Sequence, residues 1–245
     1  MSESTLTVTY SELKERVGLN LRYTRTSTNW TTEEAARVAD AIRDGLRKFY
    51  KAREWSFLKP YGTLETVANA DGYPLPQEVG YIEGNLYQAA STGYREVVKV
   101  DASEILKLHQ DSHTSGIPEK YAMRPRMTDG VLGQTKEIIF WPTPDAVYTL
   151  TYSYRVLPDM LTTDQLYALG AAEHANTIIE ACLSCADLNN NDTMGVHEAA
   201  FQQNLAQSIE YDARAYAPRV LGTFGNGRGR RVHIIPPDLT LTVDV

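Results

Sequence analysis

Apolar residues along this chain recur with two different periods, and the change of period divides it. Between Thr32 and Glu54, Ala35, Val38, Ala39, Ile42, Leu46 and Phe49 return at steps of three and four, which predicts one long helix with a single apolar stripe. Thr31 and Glu34 have the spacing of a capping box, which sets where that helix begins. A shorter amphipathic piece at Thr9–Val17 precedes it, and a polar connector runs through Asn29. Two more long helices are expected after Thr162-Thr163-Asp164. Leu166, Leu169, Ala172, His174, Ala175, Ile178, Ile179, Cys182 and Leu183 would cover one side of the first. The second spans about Thr193 to Tyr216, with Ala200, Leu205, Ile209 and Ala213 inward.

From about Tyr61 to Pro158 the pattern shortens to β-type runs. Thr63–Val67, Val79–Tyr87, Arg95–Val100 and Tyr121–Pro125 are candidate strands, and Asp71-Gly72, Thr92-Gly93, Ser115-Gly116 and Asp129-Gly130 are turn signals. Asp101–His109 reads as a short helix. The run Ile138-Ile139-Phe140-Trp141 meets Pro142-Thr143-Pro144-Asp145-Ala146, and alternation follows from Val147, which predicts a hairpin over Phe140–Tyr154. Tyr148, Leu150, Tyr152 and Tyr154 share one face of its second strand, as a period of two requires. The fold class expected is α+β: a helical bundle of one N-terminal and two C-terminal long helices, carrying an inserted antiparallel β domain. The divisions fall at 1–58 (helical), 59–158 (inserted β-rich domain), 159–217 (helices completing the bundle) and 218–245 (an extended arm).

The last stretch has its own chemistry. Gly222, Gly225, Gly227 and Gly229 are interspersed with Arg219, Arg228, Arg230 and Arg231, and no acid appears before Asp238. A glycine-rich basic segment cannot bury a core of its own and should be mobile in isolation. Leu239, Leu241 and Val243 alternate with threonines and could add as a strand to a partner.

Composition narrows the function classes. A net charge of −7 disfavours wholesale nucleic-acid binding, so any basic function is local to the arm. No apolar run is long enough to span a bilayer, and the first residues do not have the pattern of a secretory signal. Two cysteines suit a reducing cytoplasm. Fifteen tyrosines against five phenylalanines favour surfaces that are buried yet near water, such as subunit interfaces, although half-exposed strands would use them too.

Candidate chemistry is sparse. Cys182 and Cys185 have half of a zinc-site spacing but lie in an apolar helix with no second pair, and read as buried thiols. Asp187, Asn189, Asn191, Thr193 and Glu198 fit five places of a calcium loop, but Asp192 stands where that loop needs glycine. A polar helix–helix connection with Asp192 as N-cap explains the same residues. His109 and His113 are four apart in what reads as a loop. With no nucleophile, phosphate-loop or metalloprotease motif, neither catalytic residues, metal ligands nor a cofactor are assigned.

Tyr73-Pro74-Leu75-Pro76, then Ile117-Pro118-Glu119-Lys120-Tyr121-Ala122, then Phe140-Trp141-Pro142-Thr143-Pro144-Asp145 occur in that order. Tyr148–Tyr154, Leu157-Pro158, a helical pair and the Gly/Arg-rich tail follow. Over about Trp55 to Arg231 this resembles the head-to-tail adaptor (connector) proteins of tailed bacteriophages, and the related tail tubular proteins of short-tailed phages. The resemblance implies a structural virion protein of the neck, free in the host cytoplasm before assembly. It implies a ring, usually twelve-fold, placed between portal and tail or nozzle protein, with a C-terminal segment reaching into the portal. The arm residues Arg219, Arg228, Arg230, Arg231, Leu239, Leu241 and Val243 are then the expected portal contacts. The arginines would also suit phosphates of channel DNA, but the acidic body favours a protein partner. Another class stays open: a metal-dependent soluble binding domain, or a hydrolase with dispersed residues. No membrane partner is expected.

Overall fold

The computed structural model describes residues 4–88, 95–126, 134–191 and 195–216. Among these are five α-helices and a curled β-sheet. Helix α1 spans Tyr10–Asn20, started by Thr9, whose side chain accepts from the Glu12 amide at 3.1 Å. Helix α2 spans Thr32–Lys51, and its capping box is made in both directions: the Glu34 amide donates to Thr31 Oγ1 at 3.2 Å and the Thr31 amide to Glu34 Oε2 at 2.8 Å. The buried stripe of α2 is Val38, Ala41, Ile42, Gly45, Leu46, Phe49 and Tyr50. The expected Ala35 is exposed and Ala39 only half-buried.

Helices α4 (Ala175–Asn191) and α5 (Val196–Tyr216) complete the helical part. The first of them starts later than its apolar pattern predicts. Gly170 and Ala171 have φ of 113° and 54°, backbone that a right-handed helix cannot contain. Upstream of them Leu166 accepts from the Tyr10 amide at 2.7 Å and Tyr167 bridges Thr9. That stretch therefore docks in irregular form on the start of α1, and Leu166 is exposed. The inward side of α5 also differs: Phe201, Ser208 and Asp212 are buried, Leu205 and Ile209 partly so, and Ala213 is exposed.

All four of these helices share one core, with Leu13, Ile42, Phe49, Trp55, Ile178, Cys182 and Phe201 at its centre. Trp55 is fully buried at no polar cost, because its indole N–H donates to the Phe49 carbonyl at 3.0 Å. Helices α2 and α4 approach closely at Gly45, where a Cβ would lie 2.5 Å from Cys182 Cα.

The main sheet has the order β1-β9-β3-β4-β6-β7-β2. Its strands are β1 (Tyr61–Glu65), β2 (Tyr73–Pro74), β3 (Val79–Gln88), β4 (Arg95–Lys99), β6 (Lys120–Arg126), β7 (Thr135–Trp141) and β9 (Thr149–Val156). Residues Ser115–Gly116 (β5) and Thr143–Pro144 (β8) form a separate two-residue pair. Ile138 and Phe140 of β7 share a core with Leu150 and Tyr152 of β9, although three strands separate them in the sheet. The sheet curls to bring them together.

The purely antiparallel arrangement expected for residues 59–158 is not found, since β4 and β6 pair in parallel. Between them lies helix α3 (Ala102–Asp111), which brings the chain back to start again in the same direction. Asp101 caps α3, accepting from the Ser103 amide at 2.8 Å.

The expected hairpin is also absent. Strand β7 pairs with β6 and β2, whereas β9 pairs with β1 and β3. The connection between them bonds elsewhere: Pro144 O accepts from the Asn69 amide at 2.7 Å and Ala146 O from the Thr66 hydroxyl at 2.9 Å. The Tyr148 amide donates to Thr66 Oγ1 at 2.8 Å. Backbone groups that a tight turn would have satisfied internally are taken by the 66–70 loop, so the strands part. The alternation within β9 holds, with Leu150 and Tyr152 buried and Thr149 exposed. The turn signals Thr92-Gly93 and Asp129-Gly130 and the Asp192 cap lie outside the described residues, as does 218–245.

Candidate assembly site

None of the seven expected portal contacts, Arg219, Arg228, Arg230, Arg231, Leu239, Leu241 and Val243, falls within the described residues. What is described is the helix from which that segment leaves. Helix α5 is held by polar contacts on its buried side. Glu198 accepts from Lys48 of α2 and from Ser184 of α4, which joins three helices at one carboxylate. Burial alone would raise the Glu198 carboxyl, but hydrogen bonds from Lys48, Ser184 and Gln202 outweigh it and bring its pKa down to about 2. One turn along α4, Glu180 pairs with His197 Nδ1 at 2.7 Å. Further down α5, the Ser208 hydroxyl meets that of Thr177 at 2.6 Å. Near its end the buried Asp212 accepts from the backbone amide and hydroxyl of Ser56, while Arg53 Nη1 donates to Ile209 O at 3.1 Å.

Beside Asp212 lies His174, only 3% exposed, among the rings of Phe49, Trp55, Phe57 and Tyr211. Its Nδ1 is buried and has no hydrogen-bond partner among the described residues. Burial pushes the imidazole pKa down, opposed by the charges of Asp212 and Glu173. Ring packing, with a neutral imidazole in it, is what this residue supplies. These anchors were not legible as a set. The one signal was Ser208 and Asp212 falling four apart on the same stripe as Phe201 and Leu205, polar groups where a core face calls for apolar ones.

The metal readings do not match the geometry. Asp187 and Asn189 sit inside α4, whose last residue is Asn191, so they cannot wrap a loop. Asp187 accepts from Asn20 Nδ2 at 2.8 Å, tying α1 to α4. Cys182 is buried against the Ile42 carbonyl and Cys185 half-buried, with burial raising both thiols. His109 is on α3, bonded through Nε2 to Phe140 O at 3.0 Å, and His113 follows that helix. Among the described residues no group of three or more metal-ligating side chains converges. No helix among them is long and apolar enough to cross a membrane.

The exposed apolar surface is rich in tyrosine. Tyr61, Tyr81, Tyr87, Tyr167 and Tyr211 are exposed, and Tyr61 is 80% so on β1, at one edge of the sheet. Tyr73 and Tyr121 instead go inward, each placing its hydroxyl on a backbone carbonyl. The residue type therefore serves both as core and as surface, as its composition left open.

Residues 8–222 match the family of the SU10 adaptor protein. The chain belongs to that family. The likeness to phage head-to-tail adaptors is thus borne out, and such a family is a structural one rather than a class of enzymes. Among solved structures that match is a chain from the neck of an empty GTA particle computed with C6 symmetry. It is 11% identical, with 83% of this chain and 95% of that chain covered, at a TM-score of 0.27. No curated protein matches.

Proposed function

We propose that this chain is a ring-forming structural adaptor of the phage neck that joins portal to tail and lines the path of the genome. The observation that carries the reading is membership of the adaptor family over residues 8–222. In this proposal the divisions at 58, 158 and 217 have mechanical meaning. Segments 1–58 and 159–217 form a helical bundle, 59–158 is an inserted domain, and 218–245 is an arm. Copies associate side by side in a ring of twelve and assemble in the host cytoplasm before joining the virion. The function is geometric and needs no catalytic residue or cofactor.

Two features support placing attachment in the arm. Arg219, Arg228, Arg230 and Arg231 can make charge-assisted hydrogen bonds to acidic groups of a portal. Leu239, Leu241 and Val243 alternate, as a strand added to a partner requires. The helix that carries the arm is pinned at Glu198, Ser208 and Asp212, so a load on the arm passes into the bundle. Many arms around one ring would bind together far more tightly than one. Contact of the arginines with channel DNA is a further role of the same segment.

The test is reconstitution with purified portal, followed by sedimentation and negative-stain imaging. The full chain should form rings on portal. Arg228→Ala, Arg230→Ala and Arg231→Ala together should weaken attachment and flatten its salt dependence. Termination after residue 217 should leave a folded body that does not attach. Normal recruitment of tails by the terminated protein would place the joint on the helices instead.

A further inference from the structure

Against the last turns of α5 the fold leaves a slot of about 270 Å³. Its walls are the rings of Phe57, His174 and Tyr211, and its charges are the carboxylates of Glu173 and Asp212. His174 and Tyr211 meet edge to face with centroids 6.0 Å apart, and Phe57 lies 5.1 Å from His174. Burial keeps His174 neutral, so it adds a flat face and no cation. One corner of the slot is Gly170–Ala171, and Ala171, at φ 54° and ψ −159°, holds a backbone conformation that belongs to glycine. Strain of that kind persists where the surroundings over-determine it, and it clusters at ligand clamps.

The two carboxylates differ in how far they are satisfied. Asp212 is buried, accepts from the Ser56 amide and hydroxyl, and has Arg53 Nε at 3.9 Å. Glu173 is exposed; among the described residues it has the Tyr211 hydroxyl, which donates to Oε1 at 3.2 Å, and no cation. A carboxylate fixed at the rim of an aromatic slot calls for a planar cation. Guanidinium stacks on rings and meets a carboxylate with paired N–H groups, which an ammonium cannot do. The volume suits one side chain, since sites for whole ligands run to about 300–1,000 Å³.

We propose that this slot is a guanidinium site whose occupant is Arg219 of the same chain. Helix α5 runs to Tyr216, four residues past Asp212, which is about 6 Å of rise. Arg219 follows three residues later, a span of up to about 10 Å before its side chain is counted, so it reaches back to the slot. Pro218 biases Ala217 away from helical backbone, which favours leaving the helix axis at that point. Arg214 is nearer but already pairs with Glu210, and Arg228, Arg230 and Arg231 are nine or more residues farther on. Docked there, Arg219 fixes the root of the arm and leaves the other three arginines for the portal. The inference goes beyond the neck reading and does not depend on it.

The test is limited trypsin digestion of the full chain, with cleavage after each arginine timed by mass spectrometry. Cleavage tracks the undocked fraction, so the Arg219–Val220 bond should be cut about tenfold more slowly than the bond after Arg228. Glu173→Gln and Tyr211→Ala should each bring the two rates together, as should high salt, with melting temperatures separating undocking from unfolding. Arg219→Lys, which trypsin also cuts, should lose the protection too, because an ammonium lacks the fork. The proposal is overturned if Arg219 is cut as fast as Arg228 in the parent. It is overturned also if Glu173→Gln leaves the protection intact, which would mean that the helix end alone shields the bond, or if protection vanishes on dilution, which would give the slot to a second copy. No portal is present, so failure here leaves the attachment test untouched.

Discussion

Replacing Gly45 by alanine sets two known effects against each other at one atom. In an exposed helix the change would stabilise by about 1 kcal/mol, through helix propensity alone. Here the added methyl would lie 2.5 Å from Cys182 Cα, 2.7 Å from its nitrogen and 2.8 Å from Sγ. Ordinary carbon contacts are about 3.5–4.0 Å, so relief requires α2 and α4 to part by roughly 1 Å. The obstruction is largely backbone of a buried helix, which cannot rotate away as a side chain does. Overpacking of this kind costs about 1–3 kcal/mol, and a backbone obstacle belongs at the upper end. The net expectation is destabilisation by about 2 kcal/mol, or a fall in Tm of about 4–8 °C for a chain of this size. Urea and thermal unfolding followed by circular dichroism measure it. Ala35→Gly on the exposed side of the same helix is the control, and should lose about 1 kcal/mol from propensity. If Gly45→Ala is neutral or more stable than the parent, the α2–α4 approach is looser than described and the argument fails.

The remaining predictions concern the polar anchors of α5. Lys48→Ala should cost about 2 kcal/mol by stranding the Glu198 carboxylate, and adding Glu198→Ala should recover part of that loss in a double-mutant cycle. Because the Glu198 pKa is lowered to about 2, its contribution is present above its ordinary value near 4.5 and is lost as pH falls between the two. Glu198→Gln should flatten that part of the acid-unfolding curve. His174 is lowered rather than raised, so the unfolded chain takes up its proton first. Stability should then decline as pH drops below about 6.5, and His174→Phe should remove that slope. Calcium or a chelator should leave Tm unchanged, since two of the candidate ligands, Asp187 and Asn189, are locked in α4.

Local chemistry was legible wherever a feature depends on near neighbours. The Thr31–Glu34 box, the Asp101 start of α3 and the period of two in Thr149–Val156 all follow from residues within a few positions of one another. So does the order of helices and β-type runs, and with it the family resemblance. Partners distant in sequence decided the rest. Pro142–Ala146 has the residues of a tight turn, but Thr66 and Asn69 claim its backbone, so β7 and β9 join opposite parts of the sheet. Leu166 and Leu169 continue an apolar stripe by spacing, yet Gly170 and Ala171 turn the chain before α4 begins. Gly45 reads as an unremarkable helix residue, and Ser208 and Asp212 as polar interruptions of an apolar stripe, until α2, α4 and α5 are brought together. A sequence sets which face of each element is apolar; only the packed fold decides which faces and edges find partners, and which remain available for one.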